Sequence, residues 1–309
     1  MTTVAPLDKP SVVFFGTGPV AAASLTLLLE SFTIEAVVTK PNPEHHKADA
    51  PVISVAHLHN LPLLFAADRH ELDQLIARQQ FASRLAILID YGIIVSRAII
   101  DSFPLGIVNS HFSLLPEWRG ADPITFAVLS GQAQSGVSLM LLVEKMDQGP
   151  LLAQATYPLD DTITTPVLTD ALIQLSAALL ARTIPGYLDG SITPQPQPTT
   201  GTSYSRKLTK ADGLLLPAEK SASVLAREVR AFLGWPGSKI RAFDRDILVT
   251  EATAQFDAST VQPGTITASN DKRQLIVHTI DGQLVVNRLK PAGKKEMDAA
   301  AFLRGVQII

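Results

Sequence analysis

Ser11-Val12-Val13-Phe14-Phe15-Gly16-Thr17-Gly18-Pro19-Val20-Ala21 is the stretch that decides the fold. A short apolar run ends at two closely spaced glycines, and Val20–Leu29 then carries a helical pattern. Strand, glycine turn and helix in that order form the first half of a βαβ unit. The glycines match the dinucleotide fingerprint G-x-G-x-x-G/A, which cradles a pyrophosphate at a helix N-terminus. The acidic residue expected about 20 residues further on is missing. Val37-Val38-Thr39-Lys40 occupies that place. Glycines are also needed simply to pack such a turn, so an NAD-binding Rossmann module is one reading among others.

The alternation continues outward. Ile34–Val38 is a β-branched run, Leu61–Phe65 a short strand and Asp68–Gln80 a polar helix. Leu85–Ile89 is apolar throughout, as expected of a strand buried on both faces. Gly106–Val108, Val137–Val143 and Leu151–Tyr157 are further strands, and Pro166–Leu188 is a long helix with proline near its start. The expectation is an α/β fold with a doubly wound, Rossmann-like, mostly parallel sheet.

Residues 191–202 carry three alternating prolines, Pro194, Pro196 and Pro198, and predict an extended, semi-rigid connector. Beyond it Ser221–Leu233 is helical in pattern. Ile247–Thr250, Thr265–Ala268, Gln274–Thr279 and Gln283–Leu289 are short strands with turn signals such as Asp281-Gly282 between them. A small β-barrel of OB-like form is expected. The predicted division is a domain over 1–190, a linker over 191–209 and the β-domain over 210–309.

Composition narrows the function classes. The chain has no cysteine, which excludes disulfides, thiolate nucleophiles and cysteine zinc sites. Net charge is −3 overall, but it is unevenly placed. Residues 1–200 hold 10 Lys and Arg against 18 Asp and Glu, while residues 201–309 hold 16 against 11. The C-terminal third is therefore the part suited to an anionic partner. Met1–Pro10 has no apolar signal segment, and no run reads as a membrane-spanning helix, so a cytoplasmic protein without membrane attachment is expected. Pro43-Glu44-His45-His46-Lys47-Ala48-Asp49 contains adjacent histidines, but no spacing sets them on a shared metal-binding face. It reads as a surface loop, and no metal is expected.

Asn109-Ser110-His111-Phe112-Ser113-Leu114-Leu115-Pro116 carries the chemistry, with Asp147 36 residues past His111. Asn109 and His111 stand at i and i+2 on an extended segment and so point to one side. They close a strand, where open α/β sheets bind ligands. An amide can donate to an oxyanion, an imidazole can act as acid or electrostatic stabiliser, and a carboxylate can set the imidazole's state. The alternative is a histidine that caps a loop and an aspartate in an ordinary turn.

These residues resemble the formyltetrahydrofolate-dependent formyltransferases, and the similarity runs nearly end to end. Phe14-Phe15-Gly16-Thr17, Val37-Val38-Thr39-Lys40-Pro41 and Asp90-Tyr91-Gly92-Ile93-Ile94 belong to it. Asn109–Pro116 with Trp118-Arg119-Gly120-Ala121-Asp122-Pro123-Ile124 is the most specific part, followed by Met146-Asp147-Gln148-Gly149. Tyr204–Gly213, Trp235-Pro236-Gly237 and Leu289–Met297 are similar to the branch of the family that acts on methionyl-tRNA.

The resemblance implies an enzyme that moves a formyl group from 10-formyltetrahydrofolate, as co-substrate, to the α-amine of methionyl initiator tRNA in translation initiation. It implies a catalytic set of Asn109, His111 and Asp147. It implies a folate site on Leu88, Ile89, Asp90, Tyr91 and Gly92 with Ser113, Leu114, Leu115 and Pro116. Lys40, Lys47, Arg206, Lys207, Lys210, Lys290, Lys294 and Lys295 would meet the tRNA, and a monomer is expected. The loop Asn42–Ala50 is shorter and less basic than the family's usual loop. A sugar-nucleotide N-formyltransferase, which shares the catalytic core, is the neighbouring reading.

Overall fold

The computed structural model describes residues 9–42, 48–256 and 261–306. Its elements run β1 (Ser11–Phe15), α1 (Pro19–Leu28), β2 (Thr33–Thr39), α2 (Pro51–Leu58), β3 (Leu63–Phe65), α3 (Arg69–Ala77), β4 (Ala86–Leu88), α4 (Arg97–Asp101) and β5 (Ile107–His111). Then come β6 (Arg119–Gly120), α5 (Pro123–Ser130), β7 (Gln134–Leu141), β8 (Leu151–Pro158), α6 (Thr165–Leu188) and β9 (Tyr204–Ser205). The remainder is α7 (Ala222–Ala231), β10 (Ser238–Ala242), β11 (Arg245–Gln255), β12 (Ile266–Ala268), β13 (Leu275–His278), β14 (Gln283–Pro291), β15 (Met297–Asp298) and α8 (Ala299–Arg304).

The described residues of Met1–Gly120, Gln134–Pro158 and Thr169–Tyr204 form one compact unit. Those of Ala121–Ala133, Leu159–Leu168 and Ser205–Ile309 form the other. The first unit is built on a seven-stranded sheet of order β3-β2-β1-β4-β5-β7-β8. The pairs from β3 to β5 are parallel, as the strand–helix alternation predicted. The last two strands differ: β7 runs antiparallel to β5, and β8 antiparallel to β7. The sheet is therefore mixed, with an antiparallel edge on a parallel body.

Burial explains the sequence pattern. Val12, Val13, Phe14 and Phe15 are all fully buried, because β1 is central and covered on both faces. The second unit holds an antiparallel sheet of order β10-β11-β14-β13-β12, curled as a half-barrel, with β15 added on β14. Here the strands alternate: in β10, Ser238, Ile240 and Ala242 are buried, while Lys239 and Arg241 are exposed. That period of two marks a sheet with one face packed and one wet. The packed face meets Leu225 and Val229 of α7 and Phe302 and Leu303 of α8.

One expectation changes. Among the described helices, α6 is long and apolar enough to cross a membrane. Its Leu172, Ile173, Ser176, Leu179, Leu180, Thr183 and Ile184 are nonetheless buried inside the protein, and Ser176 Oγ lies 2.7 Å from Ser110 Oγ of β5. This is the burial of a core helix. Several helices were not anticipated, among them α2 and α5, each with proline at its first turn (Pro51, Pro123). That proline is a start signal that the sequence did offer.

Candidate functional site

Strand order locates the site. From β1 the chain crosses outward to β2 and β3, then returns to place β4 on β1's other side. Ligands bind open α/β sheets at such a switch point, beyond the carboxyl ends of the strands. Leu88, the last residue of β4, pairs with Phe15 of β1 and with Asn109 of β5. The predicted folate loop therefore leaves the sheet directly beside the predicted oxyanion donor.

That loop is tightly held. Ile89 N–H donates to Phe15 O at 2.9 Å, and Thr17 donates to Asp90 O through its backbone at 3.1 Å and its hydroxyl at 2.9 Å. Lys40 Nζ, expected from the sequence to meet tRNA, donates to Gly92 O at 3.1 Å and so also touches the 88–92 loop. The Tyr91 ring packs edge-on to Phe15, and burial pushes its hydroxyl pKa up. Its oxygen has no hydrogen-bond partner among the described residues.

Gly18 shows what the glycine turn is for. A Cβ there would stand 2.0 Å from Asp90 Oδ2. The space beside the turn is filled by a carboxylate, which repels a pyrophosphate. The NAD-binding reading therefore loses its physical basis.

Asn109 and His111 lie within β5 itself, both buried. None of the described residues hydrogen-bonds the Asn109 amide, although the residue is only 8% exposed. His111 Nε2 lies 3.0 Å from Trp118 O. A carbonyl only accepts, so Nε2 carries the hydrogen and donates it. The other ring nitrogen, Nδ1, faces Asp147 Oδ1 at 3.8 Å, an ion-pair distance rather than a hydrogen bond. Side-chain exposures of 7% and 12% place the pair away from bulk water, where screening is weak.

Asp147 sits in the loop after β7 at φ +52°, in the left-handed region. Its Oδ2 accepts from Gly120 N–H at 2.7 Å. Its neighbour Gly149 has no room for a side chain, because a Cβ would stand 1.7 Å from Leu141 O.

Ser113–Pro116 is pinned from β7 and β8. Ser138 Oγ donates to Ser113 O at 2.6 Å and accepts from Leu115 N–H at 2.9 Å. Gln154 Nε2 donates to Leu115 O at 2.9 Å. Ser138 and Gln154 were missed by sequence reasoning, although Ser138 pairs with His111 across the β5–β7 ladder. For Ser138, a buried polar residue on the otherwise apolar Val137–Leu141 run, that placement was the available signal; Gln154 is exposed on its strand and offered none.

In the second unit, Lys207, Lys210, Lys290, Lys294 and Lys295 are exposed. Arg206 is also exposed, but its guanidinium makes a two-pronged ion pair with Asp212, which also accepts from Thr209 N–H. Lys47 and the paired histidines His45 and His46 lie outside the described residues. No cluster of three or more His, Asp or Glu suited to a metal occurs among the described residues.

An amide, an imidazole and a carboxylate beyond the strand ends of a mixed α/β sheet are groups that can serve acyl transfer. The chain belongs to the formyl transferase family: the formyl transferase pattern matches residues 11–184, and the formyl transferase C-terminal domain matches residues 207–307. It is a formyl-transferring enzyme. It is 33% identical over 307 residues to the methionyl-tRNA formyltransferase of Pelobacter propionicus, covering 98% of this chain and 95% of that one. It is 36% identical over 309 residues to the protein of the same name from Halorhodospira halophila, covering 96% and 97%. The fold is similar to that of the N-formyltransferase of Helicobacter canadensis, solved in complex with folinic acid and dTDP-3-aminofucose. That match has a TM-score of 0.68 at 16% identity, over 91% of this chain and 99% of the other.

Proposed function

We propose that this enzyme transfers the formyl group of 10-formyltetrahydrofolate to the α-amine of methionyl initiator tRNA, in the cytoplasm and as a monomer. The observation that carries the reading is the Asn109 amide, without a hydrogen-bond partner among the described residues, on the same strand as His111, which faces Asp147. Residues 1–190 are the proposed catalytic domain, 191–209 the linker, and 210–309 the part that holds the tRNA.

The neutral amine attacks the formyl carbon, a new C–N bond forms, and negative charge develops on the formyl oxygen. Asn109 donates to that oxygen. His111, in its protonated form, adds positive charge at the same strand end while Trp118 O holds its Nε2–H. Asp147 accepts the proton lost by the amine, directly or through water, and returns it to N10 as the old C–N bond breaks. The 88–92 and 113–116 segments would hold the folate. No metal takes part in this scheme.

The sequence relatives, at identities above 30% over nearly the whole chain, favour methionyl-tRNA as acceptor. The short Asn42–Ala50 loop and the fold match to a sugar-modifying enzyme favour an amino-sugar nucleotide. Formyl transfer measured with charged initiator tRNA and with a nucleotide-linked amino sugar decides between them. Transfer to the sugar alone overturns the first reading.

A further inference from the structure

We infer that Gln197 is a positioning residue for the acyl-transfer centre, holding the loop that carries Asp147. This inference rests on the reading of Asp147 as catalytic. The proline-rich segment expected to be a spacer is anchored: Leu151 N–H donates to Gln195 O at 2.7 Å, and Gln195 N–H to Leu151 O at 2.8 Å. Two residues on, Gln197 stands between Pro196 and Pro198, whose fixed φ values limit the backbone on both sides. Gln197 Nε2 donates to Asp147 O and to Gly149 O, both at 2.8 Å. Its Oε1 accepts from Arg119 Nη2 at 2.6 Å. The partners fix the amide's orientation, since a reversed amide would set Oε1 against two carbonyls and its NH₂ against a guanidinium.

The groups that Gln197 holds are those that hold the catalytic residues. Arg119 lies between Trp118, whose carbonyl accepts from His111, and Gly120, whose N–H donates to Asp147. On the other side, Asp147 keeps a backbone conformation that side chains other than glycine rarely adopt. Gly149, wedged against Leu141 O, fixes one end of this loop, and the Gln197 amide spans Asp147 to that fixed end. One side chain thus ties the 118–120 segment to the 147–149 turn and sets the separation of His111 and Asp147. Gln197 also lines a cavity of about 550 Å³ together with Arg119, Gln148 and Pro150, so binding and positioning must be separated by experiment.

The test is steady-state formyl transfer by the full chain carrying Gln197→Ala or Gln197→Glu, with Asp147→Ala as reference. Gln197→Glu keeps the length of the side chain but removes both donors. A small misplacement at a reacting centre can cost about 100-fold in rate, so a kcat loss of about 10- to 100-fold is expected for each variant. KM for donor and acceptor should stay within about threefold, Tm should change little, and the pH profile of kcat should shift. If kcat stays within about twofold of the parent while Asp147→Ala is inactive, Gln197 is not a positioning residue and the site stands. A rise in KM alone, or a kcat loss matched by the unfolded fraction, also overturns the inference. Parental activity in Asp147→Ala removes the reading of the site and the inference with it.

Discussion

The strand end that carries Asn109 and His111 and the basic residues of the second unit solve different problems. At the strand end the groups are buried or nearly so: His111 is held on one side by a carbonyl and faced on the other by a carboxylate, and Asp147 is held by a backbone N–H. Lys207, Lys210, Lys290, Lys294 and Lys295 are exposed cations on flexible stems. Buried groups act through geometry, and an error of a fraction of an ångström is felt. Exposed cations act through summed charge, so their effect is graded and screened by salt. On the proposed reading, chemistry belongs to the first region and capture of a polyanion to the second.

The strongest way to break this division is at Asp147 and His111. Asp147→Ala and His111→Ala should each lose about 1,000-fold or more in kcat while circular dichroism and Tm stay near the parent's. Near-parental turnover in either would remove the assignment. Asn109→Ala comes next. Loss of one preorganised oxyanion donor costs about 10²–10³ in kcat, with little change in KM for either substrate. A KM effect alone would make Asn109 a binding group.

The second region should respond differently. Lys290→Ala, Lys294→Ala and Lys295→Ala combined should raise the Kd for the proposed tRNA without changing kcat at saturation. They should also flatten the log–log salt dependence by about 0.7–0.9 for each phosphate that a lysine no longer neutralises. An unchanged slope would place these lysines off the binding face.

The smallest effect is expected at Asp212, whose carboxyl the Arg206 guanidinium holds well below the usual carboxylate range, with Thr209 N–H assisting. A depressed folded-state pKa gives stability that is present above the unfolded carboxylate's pKa and is lost as pH falls through the folded one. Asp212→Asn should therefore cost about 1–3 °C of Tm at neutral pH, because exposed pairs are weak. The difference should close only in strong acid. A difference that closed above pH 5 would assign the stabilisation to another group.

Much of this was legible along the chain. The apolar run before Gly16 announced a strand, and the i, i+2 spacing of Asn109 and His111 announced a shared side. What escaped was contact between distant residues. Arg119 and Gln197 are 78 positions apart, and nothing local in Pro196-Gln197-Pro198 marks its amide as a clamp. The turn that delivers Asp212 to Arg206 was likewise not marked in the sequence. The bond from Lys40 Nζ to Gly92 O joins residues 52 positions apart and was equally invisible along the chain.

The sequence by itself determined the layer architecture, the switch from doubly covered strands to half-covered ones, and the residue types available for acyl transfer. Each of these follows from local periodicity and side-chain chemistry. Only the tertiary structure decided which ring nitrogen of His111 faces Asp147, that no described residue hydrogen-bonds the Asn109 amide, and that Gln197 of a proline-rich segment holds the 147–149 turn. Those outcomes depend on distances across strands and loops, which chain order leaves open until packing sets them.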